Sequence, residues 1–138
     1  MITEVLERLQ NTTLSSSSIT HGRLKYFSSI AQTSEDNISR IGLGLSMSEG
    51  AIIEKWAPTI LGDIDANIIT EKGKKIRGKT MFKDDLLLFF AMANQYQELN
   101  EFTQSKNILT SHWERGIEIL TMKANGKTDW IEIVNNLL

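Results

Sequence analysis

The chain has 138 residues, 41% hydrophobic and 23% charged, with a formal net charge of −2 and no cysteine. That length and balance describe one globular domain rather than a disordered segment or a membrane span, and the lack of cysteine excludes disulfides and thiolate metal sites. The slightly negative charge excludes a protein coated in basic residues, so any contact with a polyanion has to come from a local patch.

The opening MITEVLERLQ carries acids early and has no apolar signal-peptide core, which fits a cytoplasmic protein. Ile2, Val5, Leu6 and Leu9 predict a short amphipathic helix within residues 1–12. The polar TTLSSSSIT that follows admits either an extended segment or a flexible linker. Thr20 is a candidate cap for a helix through HGRLKYFSSIAQ, where Leu24, Phe27 and Ile30 share a face. Ser34 is a clearer N-cap, because Glu35 and Asp36 fill the first turn, where the helix dipole favours acids. That helix has Ile38, Ile41, Leu45 and Leu43 as core positions and ends near Gly50. Gly42 and Gly44 inside it each cost about 1 kcal/mol relative to alanine. They are either tolerated weak points or places where another backbone comes close.

Beyond Gly50, AIIEKWAP reads as one helical turn ended by Pro58, the only proline. NIITEKGKKI predicts a small β-hairpin turning at Lys72 and Gly73, with the glycine supplying a positive φ. DDLLLFFAMANQYQEL is apolar almost all round, which predicts a helix buried on most sides with Asp84 and Asp85 in its first turn. A further helix spans about 103–124, with Ile108, Leu109, Trp113, Ile117, Leu120 and Met122 as its apolar positions. A last one spans 128–137, capped by Thr128, with Trp130, Ile131 and Val134 facing inward. The pattern is mainly α with a small extended component, without a repeat or domain boundary.

Catalytic signatures are missing. His21 and His112 are the only histidines; neither has a second ligand at i, i+4, and no H-E-x-x-H, G-x-S-x-G or Walker A motif occurs. Asp63, Asp65 and Asn67 begin like a calcium loop, but the required glycine is Ile68 and the required glutamate is Lys74. Asp84 and Asp85 are neighbours that point apart on a helix, so capping explains them better than a nuclease metal. No enzyme activity, metal or cofactor is expected.

The positive charge is concentrated instead. EKGKKIRGKTMFK, residues 71–83, holds six of the fifteen Lys and Arg: Lys72, Lys74, Lys75, Arg77, Lys79 and Lys83. Its only acid is Glu71, so nothing within the segment pairs these charges off. It is either an ordinary solvated face or a handle for a polyanion. Gly73 and Gly78 would leave backbone N–H groups open to phosphate oxygens. No interleaved aromatics suit single-strand stacking, and no base-reading pattern is present, so the expected contact is with a phosphate backbone.

SITHGRLKYFSSIAQTSEDNISRIGLGLSMSEG resembles the front half of the DndE family, small proteins of bacterial DNA phosphorothioation systems. That family has a strand, a helix, a tight turn and a helix with an R-I-x-L-x-L-S core, here Arg40 to Ser46. Gly73, Ile76, Thr80 and Phe82, followed by DDLLLFFAM, are similar to its middle segment, and HWERGIEIL resembles its closing helix. The likeness covers about residues 18 to 122, with residues 1–17 left as an N-terminal extension, and family members put larger residues at Gly42 and Gly44. It implies a single domain in which a ribbon-helix-helix-like unit is elaborated by C-terminal helices. It further implies a homotetramer and a non-enzymatic DNA-binding role beside other proteins of the sulfur-modification system. The contact would be with double-stranded DNA, nicked duplex included, through Lys72, Lys74, Lys75, Arg77, Lys79 and Lys83. The alternative is a structural adaptor that assembles those partner proteins without DNA affinity of its own.

Overall fold

A computed structural model of the chain describes residues 2–62 and 68–138. The calcium-loop positions Asp63, Asp65 and Asn67, and the start of the expected hairpin, lie outside the described residues. Helix α1, Ile2–Asn11, buries Val5 and Leu9, one turn apart on its inner face. Strand β1, Thr13–Ser15, follows and turns Leu14 inward. Helices α2, Ser18–Ala31, and α3, Glu35–Ser48, come next. After an irregular stretch, strand β2, Lys75–Arg77, leads into α4, Gly78–Phe82. A 3₁₀ turn, Lys83–Asp85, then opens into α5, Leu86–Asn94. The long α6, Phe102–Ala124, and the short α7, Trp130–Leu137, complete the chain. The fold is mainly helical with one two-stranded antiparallel sheet.

The core forms where α3 lies along α6, the most extensive helix pair among the described residues. Two glycines set that distance. A Cβ on Gly116 would sit 1.7 Å from the carbonyl oxygen of Gly42, so the helices touch backbone to backbone. Gly42 is therefore the site of a close approach, whereas a Cβ on Gly44 would meet nothing within 4 Å. Trp113 is wholly buried beside this contact, and its Nε1–H donates to Ser39 Oγ at 2.9 Å. The Arg8 guanidinium lies over the Phe102 ring, 3.9 Å from its centroid, and fastens α1 to the start of α6.

Several local expectations are corrected. Ser17, not Thr20, caps α2: its side chain accepts from Thr20 N, while the Thr20 hydroxyl is buried against Glu114. Residues 51–60 form no helical turn because their backbone groups find side chains instead. Trp56 N donates to Ser111 Oγ, Thr59 N to Glu118, and Gln97 bonds Ile52 in both directions. Asp129 rather than Thr128 caps α7, and the helix packs with Ile133 inward and Ile131 73% exposed. Met122 of α6 is also exposed. In α5, Leu86, Phe89, Phe90 and Ala93 are buried, but Leu87 and Leu88 face solvent, so this all-apolar helix is covered on one side only.

Among the described residues the expected hairpin does not form. β2 pairs with β1, in the register Thr13 with Arg77, Leu14 with Ile76 and Ser15 with Lys75. Ser16 takes the groups a hairpin turn would use: its N–H donates to Lys74 O, and its hydroxyl accepts from Lys74 N. Gly73 serves close approach rather than a positive φ, because a Cβ there would lie 1.8 Å from Ser16 O. Residues 2–17 are likewise no loose extension. Leu9 and Leu14 are wholly buried in the core.

Candidate functional site

The six basic residues read from the sequence do not have equal standing. Lys72 is exposed, and its carbonyl is held by the Thr70 hydroxyl at 2.7 Å and by His21 Nδ1 at 2.9 Å. Lys74 is half-buried, and its Nζ lies 3.2 Å from Glu35 Oε1. His21 Nε2 faces the same oxygen at 3.5 Å. Glu35, named above only as a helix-dipole acid, thus restrains one of the six cations. Lys75 and Arg77 flank the inward Ile76 and both stand in solvent. Arg77 reaches back to Asn11 O through a long 3.4 Å contact. Lys79 and Lys83 are exposed on α4 and at its end, and Lys83 adopts φ 48°. Among the described residues no carboxylate pairs with Lys72, Lys75, Arg77, Lys79 or Lys83.

The fold fixes this segment in place. Gly78 N donates to Thr12 O at 2.9 Å, so that N–H is engaged and not open to an anion, contrary to the sequence reading. A Cβ on Gly78 would sit 1.9 Å from Leu9 O, which shows how tightly α1 and the basic segment meet. Across the ribbon, the exposed Thr13 faces Arg77 and the exposed Ser15 faces Lys75. The sequence reading did not name these two hydroxyl residues, because they belong to a strand whose partner lies in the other half of the chain.

Several other charged groups are tied into the fold. Glu114 accepts from Ser17 N and the Thr20 hydroxyl, both at 2.7 Å. Arg23, fully buried, bonds Glu118 at 3.2 Å and Thr59 O at 2.6 Å. Arg115 donates to Ser46 O, Gly50 O and Ala51 O, and its Nε donates to Ser46 Oγ at 2.9 Å. Ser46 Oγ, which accepts that bond, also lies within hydrogen-bond distance of His112 Nδ1, at 2.8 Å. Burial, and next to it the charge of Arg115, hold the His112 pKa down at about 4. Asp84 and Asp85 are exposed in the 3₁₀ turn. No three His, Asp or Glu among the described residues gather closely enough to hold a metal ion. A shallow depression lined by Ile2, Asn94, Glu98, Leu99 and Asn100 has no cation on its rim.

No helix among the described residues is long and apolar enough to cross a membrane. No family model, no curated protein and no solved structure matches the chain.

Proposed function

We propose that the chain is a non-enzymatic DNA-binding subunit of a bacterial phosphorothioation system, acting in the cytoplasm on the phosphate backbone of intact or nicked duplex. The observation that carries this reading is the run of exposed cations at Lys72, Lys75, Arg77, Lys79 and Lys83 in a chain of net charge −2. They follow one another along a stretch fastened to α1 and β1, and among the described residues only Lys74 of the segment is matched by a carboxylate. Cations without carboxylate partners keep their attraction for an outside anion. The likeness to the DndE family supplies the biological setting. In this reading β1, α2 and α3 form a ribbon-helix-helix-like unit whose second strand, β2, comes from the same chain.

The test is fluorescence anisotropy of a labelled duplex, intact and nicked, at about 50 and about 200 mM salt. Five neutralised phosphates predict a fall in affinity of roughly 500-fold over that range. Changing Lys72, Lys75, Arg77, Lys79 and Lys83 together to alanine is expected to abolish binding. Failure of the unaltered protein to bind at the lower salt sinks the reading.

One observation favours the adaptor as a second reading. Leu87 and Leu88 are 63% and 56% exposed on α5, and exposed apolar side chains of this size suit a protein contact, including one within a homotetramer. Capture of the other modification proteins without measurable duplex affinity would favour it.

A further inference from the structure

We propose that the outer face of the β1–β2 ribbon is the part of this surface that lies along the DNA backbone. In this arrangement the hydroxyls of Thr13 and Ser15 act beside Lys75 and Arg77. The inference rests on the DNA-binding reading above and adds to it a geometry and two residues.

In each strand the middle residue points inward, Leu14 in β1 and Ile76 in β2, and the flanking residues are exposed. The register sets Thr13 opposite Arg77 and Ser15 opposite Lys75. Residues two apart on a strand stand ~6.6 Å apart, and facing residues on paired strands lie roughly 5 Å apart. Lys75 and Arg77 are therefore spaced like neighbouring phosphates of one DNA strand. The two hydroxyls form a second row able to donate to the oxygens of the same phosphates. Such contacts position a protein on the duplex without reading its sequence.

The ribbon is fixed before any ligand arrives. Ser16 N to Lys74 O at 2.8 Å, Lys74 N to Ser16 Oγ at 2.9 Å and Gly78 N to Thr12 O at 2.9 Å close it at both ends. Binding then has no backbone to order, which favours affinity from few contacts. The residue just before β2, Lys74, is engaged by Glu35 of α3, so the acid does not neutralise the outer row.

The two rows leave different signatures. Removing a cation lowers both the affinity and its dependence on salt, whereas removing a hydroxyl lowers the affinity alone. With the full chain and a nicked duplex, Lys75→Gln/Arg77→Gln is expected to reduce the slope of log affinity against log salt by about two. Thr13→Val/Ser15→Ala should bind about 10-fold more weakly with the slope unchanged. Lys123→Ala, an exposed lysine outside the segment, serves as the control and should behave as the unaltered protein. Circular dichroism melts verify that each variant folds; the altered side chains are exposed, and valine keeps the strand preference of threonine.

If Lys75→Gln/Arg77→Gln keeps the full slope while Lys72→Gln/Lys79→Gln/Lys83→Gln loses it, the ribbon is not the contact and the DNA reading survives. If the hydroxyl variant binds as tightly as the unaltered protein, the second row is wrong. If the unaltered protein does not bind duplex, the DNA reading fails and the ribbon assignment fails with it.

Discussion

Arg23 lies against α6 and Arg115 belongs to it, and both have their guanidinium groups fixed by protein oxygens, whereas Lys75, Arg77, Lys79 and Lys83 stand around the ribbon with their charges in water. In the first region the loss of hydration is offset by a carboxylate or by the end carbonyls of α3 and the chain just after it. These arginines hold irregular backbone in place: Arg115 the turn after α3, Arg23 the segment at Thr59. In the second region the backbone is fixed and the charges lack carboxylate partners. The comparison teaches that the number of cations says little about a binding surface. What matters is which of them the fold has already neutralised.

The largest effect expected from breaking this contrast is in the interior. Glu118→Ala removes an acceptor from the buried Arg23 and from Thr59 N. It should cost ~3 kcal/mol or more, read as a lower urea midpoint. The matching change on the ribbon, Arg77→Ala, should alter stability by less than ~0.5 kcal/mol.

Next comes the packing that holds the interior together. Gly116→Ala places a methyl against Gly42 O and should cost ~1–3 kcal/mol. Gly44→Ala, two residues along α3 from Gly42 and in open space, should instead stabilise by ~0.5–1 kcal/mol in the same denaturation experiment. Destabilisation of equal size by the two would show that the backbone contact does not set the helix distance.

A pH effect sharpens the same contrast. His112 is held neutral in the fold, with its pKa lowered from 6.5 to about 4. Between those values the unfolded chain takes up a proton that the folded chain refuses, so His112 makes stability fall as pH drops through the window. Its own contribution is flat above about 6.5 and levels off below about 4. His112→Asn should flatten that part of the pH–stability curve. A proton-resonance titration of His112 with a midpoint near 6.5 would contradict its neutral burial.

The smallest effect sits where the two regions meet. Glu35→Gln releases Lys74 and should strengthen duplex binding at low salt by about two- to five-fold, the scale of a partly exposed ion pair. Weaker binding would mean that Glu35 orders the basic segment rather than restrains it.

Much of this was legible because it is local. Ser34 as a cap and the end of α6 near residue 124 depend on residues within one or two turns of each other. Val5 and Leu9 likewise fixed the inner face of α1. The basic run could be read for the same reason, since neighbours in sequence stay neighbours on the surface. The phase of a short helix was less secure. In α7, packing against the core buried Ile133 and left Ile131 exposed. The all-apolar α5 carried no periodicity to say which of its sides would stay uncovered.

The sequence by itself determined a mainly helical chain, most of its helix positions, and where its positive charge is concentrated. Only the tertiary structure decided that β2 pairs with β1, that Gly42 meets Gly116, that Glu35 holds Lys74, and that Thr13 and Ser15 stand opposite Lys75 and Arg77. The reason is physical. Helix caps and periods follow from short-range sterics and hydrogen bonds. Strand partners and backbone contacts depend on which distant surfaces the packed core brings together, and a three-residue strand has too little pattern of its own to name its partner.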